Sequence, residues 1–368
     1  MTSFPDTISL ASGYGNFTTP PAALQQATTL LQGGPLPLSP IEGLPALRAA
    51  LAARYQRQGA AVAPEQIVVT PGAKPALLAV LKALLSPGHD EVLLLTPNWF
   101  GFQGLVEKAG GTLRTLPLDP ATDYALDVAA VQAALTPRTR VLLLSNPNNP
   151  TGRVYHRAEL AALLHLTRQH PQLMVLADEI YDGICFGPDR VPSLLEFDDP
   201  LSQHVVVSGF SKSLALIGWS VGYLVAPAAV ARQCAAWQFA TAAAVSAVSQ
   251  AAALAATEQA ESISAGLCAG LRANRERMVA ALAAMPSVRQ QLPQGTYYVF
   301  PDFRAFLNPA LPLPAASADL AARLRAGGVE VVDGASCDAP GFFRISYAVP
   351  EPELREALRR LTAALPLR

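Results

Sequence analysis

Val205-Val206-Val207-Ser208-Gly209-Phe210-Ser211-Lys212 is a short apolar run that ends in a small, hydroxyl-rich turn and one lysine. The run is apolar without alternation, which suits a strand covered on both faces of a sheet. Four runs of the same kind precede it: Ile67-Val68-Val69, Val92-Leu93-Leu94-Leu95, Val141-Leu142-Leu143-Leu144 and Met174-Val175-Leu176-Ala177. Ala/Leu-rich stretches of helical character lie between them, such as residues 76–85 and 158–169. Strands alternating with helices predict an α/β domain with a mostly parallel sheet.

A different polar cluster follows each run. They are Thr70-Pro71-Gly72-Ala73-Lys74, Thr96-Pro97-Asn98-Trp99, Ser145-Asn146-Pro147-Asn148-Asn149-Pro150-Thr151-Gly152, Asp178-Glu179-Ile180-Tyr181, and the turn from Ser208 to Lys212. In open α/β sheets the rim at the C-terminal ends of the strands is where ligands bind. A lysine held in such a turn is a candidate Schiff-base former. A surface lysine at a helix start is the alternative.

The C-terminal part reads differently. Residues 269–284, 320–326 and 353–364 predict helices. Gly295-Thr296-Tyr297-Tyr298-Val299-Phe300 and Phe342-Phe343-Arg344-Ile345-Ser346-Tyr347 predict strands. Pro-rich patches at 35–45 and 309–314 read as loops. The expected division is an N-terminal arm with part of a small domain over residues 1–40, a large domain over 41–265, and a small α+β domain over 266–368.

Composition narrows the function. The 368 residues carry 27 basic and 28 acidic side chains, a net charge of −1, and 51% are hydrophobic. That balance favours neither nucleic acid nor an anionic membrane as partner. Cys185, Cys234, Cys268 and Cys337 have no metal-type spacing and read as thiols in a reducing compartment. No metal site is expected. Met1-Thr2-Ser3-Phe4-Pro5-Asp6 has neither a basic nor an apolar leader segment, so a cytoplasmic location is expected. Residues 233–257 carry no charge but are mostly Ala, Ser, Thr and Gln. They predict a buried or interface helical segment, with Ser246 able to cap its second half.

Asn149-Pro150-Thr151-Gly152, Asp178-x-x-Tyr181 and Ser211-Lys212, in this order, resemble the class I/II aminotransferases, pyridoxal-phosphate enzymes of fold type I. The resemblance runs from Gly13 and Phe17-Thr18-Thr19-Pro20 to Arg344-Ile345-Ser346-Tyr347. It implies a mostly parallel seven-stranded sheet flanked by helices, and a smaller domain built from both termini. It also implies a homodimer with the site at the interface. Lys212 would form the Schiff base with pyridoxal 5'-phosphate and later move the α-proton. Asp178 would face the pyridine nitrogen, Tyr181 and Asn149 the ring's 3-oxygen, and Trp99 one face of the ring. Gly72, Ala73 and Lys74, with Ser208 and Ser211, would meet the phosphate; a helix N-terminus suits an anion. Arg344 would take the substrate α-carboxylate, for which a guanidinium fork is well shaped. Gly13 would close over the substrate through its backbone.

Three positions depart from that pattern. Ser220 stands where the family usually has a phosphate-binding arginine after Gly218-Trp219. Leu38 stands near where it often has a tyrosine that reaches the partner subunit. Gly209 stands where a serine is frequent. Looser cofactor binding is therefore expected.

Transfer of an amino group between an amino acid and a 2-oxo acid is the leading reading. A β-lyase, decarboxylase or oxidase-like reaction on the same cofactor is the alternative, because the protein decides the fate of the cofactor's carbanion. A non-catalytic relative would have lost Lys212 or Asp178. A nicotinamide dehydrogenase would want a GxGxxG after a strand, which is missing. Tyr14, Phe17, Phe102 and Tyr297 are candidates to line the pocket, which favours a neutral, apolar or aromatic substrate.

Overall fold

The computed structural model describes residues 7–365. Met1-Thr2-Ser3-Phe4-Pro5-Asp6, read above for a leader, lies outside them. All five apolar runs become strands of one seven-stranded sheet. Its strands are β1 Ile67–Thr70, β2 Glu91–Thr96, β3 Thr112–Pro117, β4 Thr139–Ser145, β5 Met174–Asp178, β6 His204–Gly209 and β7 Gly222–Val225. The order across the sheet is β1-β7-β6-β5-β4-β2-β3. Only β7 runs against its neighbours.

Alternate residues of these strands feed two cores, because successive side chains point to opposite faces. Leu143, Leu176, Val205 and Val207 pack on one side with the helix Ala73–Leu84. Leu142, Leu144, Val175 and Val206 pack on the other with the helix Arg157–Thr167. Burial on both faces explains why these strands lack alternation.

Two strands of this sheet were not foreseen. The edge strand β3, Thr112-Leu113-Arg114-Thr115-Leu116-Pro117, is largely exposed and polar, and it ends in proline. Edge strands tolerate all three features. Strand β7 is only four residues long and opens on glycine.

The uncharged stretch forms two helices, Ala228–Thr241 and Ala247–Glu258. Ser246 Oγ caps the second by accepting from Val248 N–H at 3.3 Å. Its buried glutamines satisfy backbone groups: Gln238 donates to the carbonyls of Ile41 and Val69, and Gln250 accepts from Leu44 N–H. Among the described residues no helix is long and apolar enough to cross a membrane.

A further core joins the two ends of the chain. Leu10 packs with Tyr298, Val299, Phe343, Ile345, Leu354 and Leu361. Ile8–Ser9 pairs in parallel with Val329–Glu330. Tyr298–Val299, Phe343–Ser346 and Val332–Asp333 make a three-stranded antiparallel sheet beside the helices Ala260–Ala283, Leu313–Ala326 and Glu351–Ala364. The small α+β unit was expected. The helix expected over residues 269–284 begins earlier, at Ala260.

One glycine fixes how the sheet meets the helix Ala73–Leu84. A Cβ on Gly222 would lie 2.6 Å from Ala73 N and from Gly72 C, both backbone atoms. Gly222→Ala is expected to destabilise the fold by about 1–3 kcal/mol through overpacking. Urea unfolding checks this; an unchanged midpoint would contradict so close an approach.

Candidate active site

Lys212 is buried at the rim, in the turn that leaves β6. Its Nζ donates to the Gly13 carbonyl at 2.5 Å and lies 3.8 Å from the centre of the Tyr14 ring. Burial pushes the amine down to about 7; Arg344 and Lys74 add to this, and Asp178 opposes it. Much of Lys212 is therefore uncharged at neutral pH, as a nucleophile or base requires.

Asp178 ends β5, and the turn that leaves the neighbouring strand β6 carries Lys212. Its Oδ1 accepts from Ile180 N–H at 3.2 Å, and burial raises the carboxyl to about 6. A carboxylate buried with so little support suits a cation brought by a ligand. Glu179 beside it accepts from Leu194 N–H at 2.8 Å. Burial pushes this second carboxyl up to about 8, so it is largely neutral at pH 7 and does not compete as a charge.

Arg344 comes from the strand Phe343–Ser346 and is buried. It donates from Nη1 to Asn149 Oδ1 at 3.1 Å and from Nη2 to the Ala11 carbonyl at 2.9 Å. Its Nε is buried without a partner among the described residues. The guanidinium lies 4.5 Å from the Tyr298 ring centre and 6.0 Å from that of Phe100. Among the described residues no carboxylate pairs with it, which leaves its charge for a ligand. Tyr181, also buried, shares a 2.7 Å hydrogen bond with the Tyr298 hydroxyl.

The other side of the cleft is an anion cradle. Gly72 has φ of 106°, and the space where its Cβ would stand is open. The helix Ala73–Leu84 follows at once. Pro75 has no N–H and Ala76 N–H is engaged with the Gly72 carbonyl, so Ala73 and Lys74 present the free amides of the first turn. Lys74 Nζ lies 5.4 Å from the centre of the Trp99 ring and has no carboxylate partner among the described residues. Trp99 is half-buried and set edge-on against Phe102 at 5.2 Å.

Not every expected residue faces the cleft. Ser208 Oγ donates to the Glu179 carbonyl at 3.1 Å and so ties two strand ends together. Ser211 is half-buried and makes no hydrogen bond among the described residues. Ser213 accepts from Gly183 N–H and donates to the Ile180 carbonyl, locking the Lys212 turn to the Tyr181 turn. Phe102 is fully buried beneath Trp99 and does not line the cleft. The exposed Phe100, passed over in the sequence, stands beside Arg344 instead. Tyr298 was noted only as part of a strand, yet it touches Tyr181, Arg344 and Gly13. The doubled tyrosine where a two-residue strand begins, Tyr297 just before it and Tyr298 within it, is its one signal in the sequence. Ser220 is exposed with φ of 51°.

Together the fold brings an amine, a carboxyl, a guanidinium and the free amides of a helix start to one rim of the sheet. The family model for aminotransferase class I and II matches residues 5–361. The aspartate/prephenate aminotransferase of Thermus thermophilus is 33% identical, over 98% of this chain and 91% of that protein. Aspartate aminotransferase structures from Rhizobium meliloti and Thermotoga maritima superpose with TM-scores of 0.91 and 0.89, each at 31% identity. They cover 98% and 97% of this chain, and 91% and 92% of theirs. With the rim geometry and a match along nearly its whole length, this chain belongs to the class I and II aminotransferases, enzymes that move an amino group between an amino acid and a 2-oxo acid.

Proposed function

We propose that the cleft holds pyridoxal 5'-phosphate and that Lys212 is the residue that carries the proton during amino transfer. The observation that carries this reading is a buried, largely uncharged amine beside a buried, cation-seeking carboxyl. When bound, the cofactor supplies an aldehyde carbon for amines and a ring that takes up electrons from the substrate α-carbon.

The chain's own residues do the rest. Asp178 holds a proton on the ring nitrogen. Tyr181 and Asn149 serve the ring's 3-oxygen; the Asn149 oxygen is taken by Arg344, which leaves its Nδ2 to donate. Trp99 covers one face of the ring. The amides of Ala73 and Lys74, the open backbone at Gly72 and the hydroxyl of Ser211 receive the phosphate. Lys74 brings to that end a positive charge that Ser220 does not. Ser208 supports the turn from behind. Lys212 Nζ would hold the cofactor through its aldehyde carbon, and with a substrate amine in that place it would be the base that removes and returns the proton. Arg344 takes the substrate α-carboxylate through its unused donors, and the backbone at Gly13 covers it.

The substrate side is aromatic. Tyr14, Phe17, Phe100 and Tyr298 surround Lys212 and Arg344 directly or through Tyr297. Arg344 and Lys74 are the cations whose charge reaches Lys212. With one for the α-carboxylate and one for the phosphate, an apolar or aromatic side chain fits better than an acidic one. We also infer a homodimer. Leu38 is 99% and Phe239 79% exposed, and Leu24, Leu31 and Leu36 stand out with them. A second copy of the chain would cover these residues.

Three measurements test these statements. With pyridoxal phosphate and 2-oxoglutarate, aromatic and apolar amino acids should show kcat/KM at least about tenfold above aspartate, roughly what one unmatched charge costs. No product from any donor would sink the function; aspartate ahead by tenfold would sink only the substrate preference. Uptake of pyridoxal phosphate by cofactor-free protein depends on the neutral amine. The folded value is lowered from 10.5 to about 7, so Nζ is charged below that pH and neutral above it. Uptake should rise with pH to half its plateau near 7, and a rise only through pH 10 would contradict a desolvated Lys212. Sedimentation at micromolar concentration should give the mass of two chains, and a single-chain mass would remove the dimer.

A further inference from the structure

Residues 11–16 cross the mouth of the site as a strap tied at both ends. Leu10 N–H donates to the Glu330 carbonyl, and the Leu10 carbonyl accepts from Ser346 N–H, both at 2.8 Å. At the far end Asn16 N–H donates to the Ala348 carbonyl at 3.2 Å. Between these ties the Gly13 carbonyl is the crossing point. It accepts three donors: Lys212 Nζ at 2.5 Å, the Tyr297 hydroxyl at 2.8 Å and the Tyr298 hydroxyl at 3.2 Å.

We infer that Tyr297 is a positioning residue whose hydroxyl keeps the strap across the site when Lys212 lets go of it. This rests on the function proposed above, in which Lys212 turns its amine to the cofactor and substrate. Two donors would then remain on Gly13. The Tyr298 hydroxyl is also shared with Tyr181 at 2.7 Å, and it holds Gly13 at the longer distance. Tyr297 is fully buried, and its ring is fixed by edge contacts with Phe17 at 5.7 Å, Tyr181 at 5.4 Å and Tyr298 at 4.8 Å. A ring packed this way has no freedom to follow Lys212, so its hydroxyl stays aimed at Gly13. The strap in turn sets Tyr14, which lies against the Lys212 amine, and Ala11, whose carbonyl accepts from Arg344. The Tyr297 hydroxyl thus acts on substrate binding through the backbone of the strap, without touching substrate.

Tyr297→Phe removes the hydroxyl and keeps the ring. In the cofactor-loaded enzyme, hydrogen exchange of amides 11–15 should speed up about two- to tenfold, the span of one net hydrogen bond. KM for the amino acid should rise by a similar factor, with kcat and the visible spectrum of the bound cofactor unchanged. In a Lys212→Ala background, which needs neither cofactor nor turnover to be read, Tyr297→Phe should accelerate exchange of the strap more than it does in the parent. Wild-type exchange and KM in Tyr297→Phe would overturn the inference. So would a fall in kcat at unchanged KM, or faster exchange spread through the core. If the parent protein takes up no pyridoxal phosphate, the proposed function fails. The exchange comparison in the Lys212→Ala background still decides the role of Tyr297.

Discussion

Keeping one amine out of water is the constraint on which this molecule depends. A lysine ammonium is costly to bury, and the cost is relieved when the proton leaves. Lys212 is brought to that condition by elements far apart in sequence: the end of β6, the strap at Gly13 and Tyr14, and the arginine of a C-terminal strand. Asp178 is desolvated in the same place and pushed the opposite way. Two groups whose protonation is shifted by burial, side by side at strand ends, are what proton transfer near neutral pH requires.

The rigidity behind the site comes from short polar ties rather than from the groups that would meet a ligand. Ser213 joins the Lys212 turn to the Tyr181 turn, and Ser264 donates to the Ser213 carbonyl from the long helix Ala260–Ala283. Ser208 joins β6 to Glu179. Gly222 lets the start of the helix Ala73–Leu84 lie directly on the sheet. Small residues at these points permit close approach, and their hydroxyls satisfy backbone groups that burial would otherwise strand.

The fold was legible where its physics is local. Strands covered on both faces announce themselves as unbroken apolar runs, and all five such runs became strands of the sheet. Ser246 was readable as a cap because capping is decided within three residues. Strand β3 was not readable: an edge strand has one unpaired side and carries the polar residues of a loop. In the site, the polar clusters after the strands lie along one rim of the sheet. They did not reveal which way a side chain turns. Ser208 and Phe102 face the interior, while Phe100, two positions from Phe102, faces the cleft.

The sequence by itself determined the architecture, the family and the chemical types gathered at the rim, because each is written in runs and clusters a few residues long. The tertiary structure alone decided how charged those groups are and what holds them. The shift in Lys212 depends on burial and on Arg344, 132 positions away by subtraction of their numbers. The lock on the strap depends on Tyr297, 284 positions from Gly13. Desolvation and hydrogen bonding between distant segments are set by where the chain brings them together, and no local pattern records that.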